Sequence, residues 1–442
     1  MSDLLLSYYG DDLTGSTDVM EAMASHGVPT VLFIREPTPE QRRRFADCRA
    51  IGLAGTSRSE TPDWMEAHLT PALAWLKTLE ARFCHYKVCS TFDSHPDVGS
   101  IGRAVEIGQR VFGQRRVPLV VGAPQLRRYT AFGTLFAAYQ GATYRIDRHP
   151  VMSRHPVTPM AEADLTRHLA LQTDRPIGLV DLAALQAPDV DAAVDAALAG
   201  GGEIVLFDVA DPATQRAVGR QLLRLYRGPS FVAGSSGVEY ALLAAWTADT
   251  TVPDKAEFAS PGKADRIAVV SGSCSPTTER QIRHAVGHGF DDIALDPRDL
   301  IGGDVENAVA AAIARGLDSL ASGRSVILYT ALGPATDLGG EIDRESEGRH
   351  RIGRRLGEIQ RALVARAGLK RAVIAGGDTS SHALRELGIY ALTTRLPLPQ
   401  TPGSPLCRAY SEDAAFDGLE IALKGGQVGR DDYFSQIRDG LA

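Results

Sequence analysis

The chain has 442 residues, more than one hydrophobic core usually serves, which sets an expectation of two domains. Its hydrophobic fraction of 44% and charged fraction of 23% are those of an ordinary globular protein, and a net charge of -7 argues against a nucleic-acid or anionic-membrane partner. No window approaches the ~18 apolar residues of a membrane span, the N-terminus lacks the pattern of a signal peptide, and the five cysteines, none in a CxxC pair, suit a reducing, cytoplasmic compartment and suggest no structural metal.

Short apolar runs alternate with longer amphipathic segments. "LLLSYY" (4–9) reads as a strand. It is followed by "TDVMEAMASHG", where Val19, Met20 and Met23 recur at helical spacing and Gly27 suits a C-cap. Stretches 29–34 and 50–55 read as strands, and "TPALAWLKTLEARF" (70–83) as a helix. Further strands fall at 118–124, 176–181, 203–208 and 230–237. This rhythm predicts an α/β fold whose sheets are mainly parallel and flanked by helices. Residues 249–265 are polar and unpatterned, so the expected domains are 1–248 and 266–442 with a linker between them. The second domain repeats the rhythm. Strands ending in turns fall at 266–276 and 325–334, helices at 277–289 and 353–368, and a strand, Gly-rich turn and helix at 371–388.

Several motifs carry chemistry. In "GDDLTGSTD", Asp11 and Asp12 follow the first strand. The carboxyl ends of strands are where open α/β sheets bind ligands, although a solvated loop is also consistent with the pair. "KVCSTFDS" gathers Lys87, Ser90, Thr91 and Asp93; Arg127 and Arg128 follow another strand, and Arg154 and His155 come later. Together they suit a small polar anion, with His155 a candidate contact and a structural role open for it. In "AGGDTS", Gly376 and Gly377 permit close backbone approach, and the following helix start offers free N–H groups to an anion. Asp378, Thr379 or Ser380 could equally serve as an N-cap. "SGSCS" (271–275) repeats the design. "LKGGQVG" places Gly425 and Gly426 beside Lys424, where a hairpin turn is the alternative. None of these is a Walker A or GxGxxG sequence, which disfavours an NAD-dependent dehydrogenase.

With "GDDLTGSTD", "SGSCS", "AGGDTS" and "LKGGQVG" together, the chain resembles the four-carbon acid sugar kinases over essentially its whole length. The resemblance implies a two-domain α/β enzyme in which the N-terminal domain binds the acid sugar, the C-terminal domain binds ATP, and reaction occurs in the cleft between them. It implies ATP contacts at Ser273, Gly376, Gly377, Asp378, Thr379 and Gly426. Acid contacts are implied at Asp11, Asp12, Lys87, Ser90, Thr91 and Arg128. Phosphoryl transfer then needs Mg²⁺ on the nucleotide phosphates and a base for the attacking hydroxyl, here Asp12 with Asp11 orienting. Threonate-type members carry Asp where this chain has Cys89. "KxCSTFDS" and "HPVxPM" are similar to the 3-oxo-tetronate kinase branch, yet Arg127 stands where that branch has Gly. A related branch acts on the branched five-carbon acid 3-oxo-isoapionate. A threonate or erythronate kinase, or a non-catalytic binder of acid sugar or nucleotide, are the competing readings.

Overall fold

The computed structural model describes residues 4–155, 157–342 and 347–441, and only the backbone of Glu341 and Asp378. The chain forms two compact units, Met1–Val31 with Thr38–Ala256, and Leu32–Pro37 with Glu257–Ala442.

The strands in chain order are β1 (Leu6–Gly10), β2 (Thr30–Phe33), β3 (Ala50–Ala54), β4 (Phe83–Lys87), β5 (Val117–Val120), β6 (Arg128–Ala131), β7 (Thr134–Tyr139), β8 (Ala142–Arg145), β9 (Ile177–Val180), β10 (Ile204–Phe207) and β11 (Ser230–Gly234). In the first unit the order β3-β1-β4-β11-β5-β10-β9 is parallel throughout. Its inner strands, such as β1 and β4, are short runs of buried residues, as expected where a parallel sheet is covered on both faces, while the edge strand β9 is mostly half-buried. Register places Gly10, Ala54, Lys87 and Gly234 in one row at the carboxyl edge. The loops after these strands therefore emerge side by side.

A separate antiparallel sheet, β6-β7-β8, is absent from the sequence reading. Its two hairpin turns are Phe132-Gly133 and Gln140-Gly141, and all four residues have positive φ. That is the backbone of a type I′ turn, built here without the usual Asn or Asp. The helix expected at 70–83 instead spans Pro62–Thr78. Thr61 caps it and Pro62 occupies its first turn, while the similar Thr70-Pro71 pair lies inside it.

The second unit contains β12 (Ala268–Ser271), β13 (Phe290–Ala294), β14 (Ser325–Tyr329), β15 (Arg371–Ala375), β16 (Ile389–Leu396), β17 (Leu406–Ser411) and β18 (Glu420–Lys424). The order β13-β14-β12-β15-β18 is parallel, and β17 and β16 continue it antiparallel. Leu32 and Phe33 of β2 pair with β16. Apolar side chains such as Ile267, Val269, Ile327, Val373 and Phe434 form one core on this sheet. β18 runs parallel to β15, so the "LKGGQVG" turn is a strand end and not a hairpin. Ser271, Ala375 and Lys424 align in register, which brings all three Gly/Ser-rich turns to one edge.

Candidate active site

In the first unit, the chain leaves β1 and enters the helix Leu13–Ser25 through the Asp11-Asp12 pair. Asp12 is the N-cap, accepting from the Gly15 N–H at 2.6 Å. Asp11 is buried, and its backbone N–H donates to the Lys87 carbonyl across the strand row.

Arg58, which the sequence reading missed, joins the two carboxylates. Its Nε and Nη2 donate to Asp11 at 3.1 and 2.7 Å, and its Nη1 donates to Asp12 Oδ2 at 2.6 Å. The guanidinium is fixed by its short turn. The Arg58 N–H donates to the Asp11 carbonyl, and neighbouring Ser57 meets the Tyr86 hydroxyl at 2.9 Å. Burial pushes the Asp11 carboxyl up to about 6 while Arg58 works against that rise. Asp11 is thus enclosed in a two-pronged clamp with 6% of its side chain exposed, whereas Asp12 leaves 28% open.

Lys87 closes the cluster. It ends β4, is buried, and donates to the Val88 carbonyl at 3.1 Å, with Asp18 Oδ2 3.7 Å away. Burial disfavours its charge, but Asp18, Glu239 and Asp11 outweigh it and raise the ammonium above its ordinary value. A Cβ added at Gly15 would lie 2.7 Å from Asp12 Oδ1, 3.3 Å from Lys87 Nζ and 3.6 Å from Arg58 Nη2, so the three groups surround one small space.

Behind Lys87, Glu239 and His85 are fully buried, with Oε2 and Nδ1 3.3 Å apart. His85 Nε2 faces the Gly234 carbonyl at 3.0 Å, so that nitrogen carries the hydrogen and Nδ1 presents a lone pair. Burial lowers His85 to about 3 and raises Glu239 to about 8, which makes this a neutral pair at pH 7.

The loop after β4 supplies the hydroxyls. Thr91 donates to Asp93 Oδ1 at 2.5 Å and lies 2.8 Å from the Cys89 thiol, and Ser90 is half-buried in the same turn. Thr158 bonds the other Asp93 oxygen at 3.2 Å, and its N–H donates to His155 Nδ1 at 3.1 Å. Burial alone would raise the Asp93 carboxyl, but Arg58 and Thr91 hold it below its usual range. His155 therefore reaches the cluster through Thr158 and Asp93. Arg128 begins β6; its Nη1 donates to the carbonyls of Leu126, Arg127 and Ala138, while its Nε is buried without a partner among the described residues. Arg58, Lys87 and Arg128 all lie within electrostatic reach of Cys89. Arg127 is exposed, with a left-handed φ of 56°, the conformation that glycine adopts without strain.

In the second unit, three turns form one cradle. Ser275 caps the helix Pro276–Val286 and its hydroxyl donates to the Gly426 carbonyl. Thr278 Oγ1 donates to Ser273 Oγ at 3.0 Å. Gly376 has φ 116°, and a Cβ there would meet Thr379 Oγ1 at 2.9 Å, so it requires glycine. Gly377 is different: among the described residues, nothing beyond its chain neighbours and helix backbone lies within 4 Å of a Cβ built on it, at the first position of the helix Gly377–Glu386. That space, at a helix start, is where an anion would approach the backbone. Asp378 belongs to the same turn by its backbone, and its side chain is outside the described residues. A cavity beside the turns is bordered by Gly272, Cys274, Thr330, Asp337, Arg349 and Thr379. Among the described residues, no group of three His, Cys, Asp or Glu is placed to hold a metal ion, and no helix is long and apolar enough to cross a membrane.

The fold and these two clusters define a two-unit α/β protein with a charged side-chain cluster at a sheet edge of one unit and a Gly/Ser-rich cluster of turns at a sheet edge of the other. Residues 6–242 match the model of a sugar-binding N-terminal domain, and residues 268–434 that of a nucleotide-binding C-terminal domain. The chain is 46% identical to a 3-oxo-isoapionate kinase of Paraburkholderia graminis, over 99% of this chain and 94% of that one. It is 30% identical to a 3-oxo-tetronate kinase of Methylobacterium radiotolerans, over 99% and 100% of the two chains. A solved protein of Salmonella typhimurium LT2 shares the fold, with TM-score 0.79 at 24% identity over 99% of both chains. The chain belongs to the four-carbon acid sugar kinase family. It is an enzyme, an acid sugar kinase that uses ATP.

Proposed function

We propose that the acid phosphorylated is 3-oxo-isoapionate, or a branched five-carbon 3-oxo acid of that kind. The observation that carries this reading is the 46% identity, over nearly the whole chain, to an enzyme of that name, against 30% or less to the 3-oxo-tetronate kinases. Arg127, in place of the Gly of the 3-oxo-tetronate branch, agrees with it.

In this reading the first unit binds the acid. Lys87 and Arg128 attract its carboxylate, and Ser90, Thr91 and His155 orient its polar groups. Asp12 takes the proton of the attacking hydroxyl, since it is the more open carboxylate, and the clamped Asp11 holds Arg58 in place. The second unit binds ATP, with Ser273, Gly376, Gly377, Asp378, Thr379 and Gly426 around the phosphates. The turns offer hydroxyls and N–H groups, a donor set for phosphate oxygens and not for a metal. Mg²⁺ therefore enters only as the companion of the nucleotide, neutralising phosphate charge. The test is coupled ADP release across four- and five-carbon acids. 3-Oxo-isoapionate should give the highest kcat/KM, and a higher value for 3-oxo-tetronate or threonate would overturn the assignment.

A further inference from the structure

Lys424 ends β18 with its side chain buried, and it lies between the turns of the cradle. Its Nζ donates to Thr278 Oγ1 at 3.0 Å, to the Gly425 carbonyl at 2.7 Å and to the Gly426 carbonyl at 3.3 Å. Three donations use all three ammonium hydrogens, and every acceptor is neutral. The groups around it are uncharged on each described side. The helix Pro276–Val286 presents Thr278 and Ser275, and its first carboxylate, Glu279, is engaged by Arg283 at 2.8 Å. β15 places Ala375 opposite. In the helix Gly377–Glu386, Arg385 and Glu386 are at the far end, and Asp378 is the acidic residue of the first turn.

A buried ammonium without a counter-charge is costly, by several kcal/mol in typical cases. The three acceptors match an ammonium's three hydrogens, yet none of them carries the negative charge that would offset its burial. A hydroxyl chain supplies the missing direction. Thr278 accepts from Lys424, and its one hydroxyl hydrogen has Ser273 Oγ at 3.0 Å and the Gly426 carbonyl at 3.2 Å; that carbonyl already accepts from Ser275 and Lys424, which favours Ser273, and Ser273 also accepts, at 3.4 Å, from the Ser275 N–H. The hydroxyl hydrogen of Ser273 is then left to point at a ligand oxygen. Taking the three turns as the phosphate site, on which this inference rests, we propose that Lys424 is the buried counter-charge for the nucleotide phosphates, acting through Thr278 and Ser273, and that it takes up a proton when they bind. Lys424 is a positioning residue in this role, since no direct phosphate contact is required. Burial, which lowers its ammonium to about 7, agrees with a lysine that is largely neutral above that pH until an anion arrives.

The experiment is calorimetric titration of the full-length wild-type enzyme with Mg-ATP at pH 8, in two buffers of different ionisation enthalpy. At that pH a terminal phosphate, with pKa about 6, contributes almost no proton exchange of its own. The wild type should take up a large fraction of one proton per ATP bound, and its affinity should weaken as pH rises from 7 to 9. Lys424→Met, checked for folding by circular dichroism, should lose the uptake and bind ATP roughly tenfold or more weakly. Lys424→Arg, charged at every pH, should bind without uptake. ATP binding to the wild type with no proton uptake would overturn the inference and leave the cradle standing, even if neither variant folds. Uptake persisting in folded Lys424→Met would overturn it too, by placing the proton elsewhere. If ATP still bound normally when a Gly377 side chain fills the cradle, the site reading would fail first and the inference with it.

Discussion

Two lysines occupy equivalent places in the two units, and their surroundings are opposite. Lys87 ends β4 and Lys424 ends β18; each is buried at the carboxyl edge of a parallel sheet. Around Lys87, Asp18, Glu239 and Asp11 outweigh the cost of burial and raise the ammonium. Among the described residues, Lys424 has only neutral oxygens within bonding reach, and burial lowers it to about 7. The first unit thus holds an interlocked cluster of charges, with Arg58 shared between two carboxylates. The second is a cradle of backbone and hydroxyls. A small acid must be oriented by side chains at many angles. A phosphate chain needs N–H groups and room, which glycine supplies locally.

Substitutions can break this contrast on either side. The largest effect is expected at Gly377. A Cβ there has no described atom within 4 Å beyond its chain neighbours and helix backbone, so Gly377→Val should fold normally and weaken ATP binding on the order of 100-fold by filling the approach space, about 3 kcal/mol by calorimetry. Gly376→Val should instead lower Tm, because φ 116° and Thr379 both resist a side chain. On the acid side, Arg58→Lys loses the planar fork that spans Asp11 and Asp12. It should cut kcat/KM for the acid by roughly 10- to 100-fold, with the KM for ATP unchanged in steady-state assays.

A smaller effect follows from Glu239, whose folded-state value of about 8 is above its ordinary 4.5 because of burial. Its contribution to stability is complete below about 4.5 and is lost as pH rises through 8. Glu239→Gln keeps a neutral donor beside His85 and removes that loss. The stability of the variant relative to wild type should rise by about 1 kcal/mol between pH 7 and pH 9, read from denaturant midpoints. The smallest effect is Arg127→Gly. It relieves a left-handed backbone but adds freedom to the unfolded chain, so stability should gain at most about 1 kcal/mol.

The same contrast governs what the sequence disclosed. The Gly/Ser-rich turns were readable because each lies within a few consecutive residues after an apolar run. Asp11, Asp12 and Lys87 were readable as polar residues at strand ends. Arg58, Asp18 and Glu239 were not: 47 residues separate Arg58 from Asp11, and only the parallel register of β1, β3 and β4 brings their loops together. Glu239 looked like any acidic residue early in a helix, and burial at 0% exposure is what gives it a role. The β6-β7-β8 sheet was hidden because Phe-Gly and Gln-Gly turns are weaker hairpin signals than Asn-Gly. The helix Pro62–Thr78 was misplaced because its second Thr-Pro pair imitates its first.

The account stands most directly on Asp12. Asp12→Asn keeps the helix cap, since Asn caps as well as Asp, but it cannot accept a proton at neutral pH. Its kcat with the preferred acid and its calorimetric Kd for ATP should be measured on the same folded sample. The prediction is a kcat lower by ~10²-fold or more with an unchanged Kd for ATP. A near-normal kcat would contradict the assignment of Asp12 as the base and leave the carboxylate pair a structural clamp for Arg58.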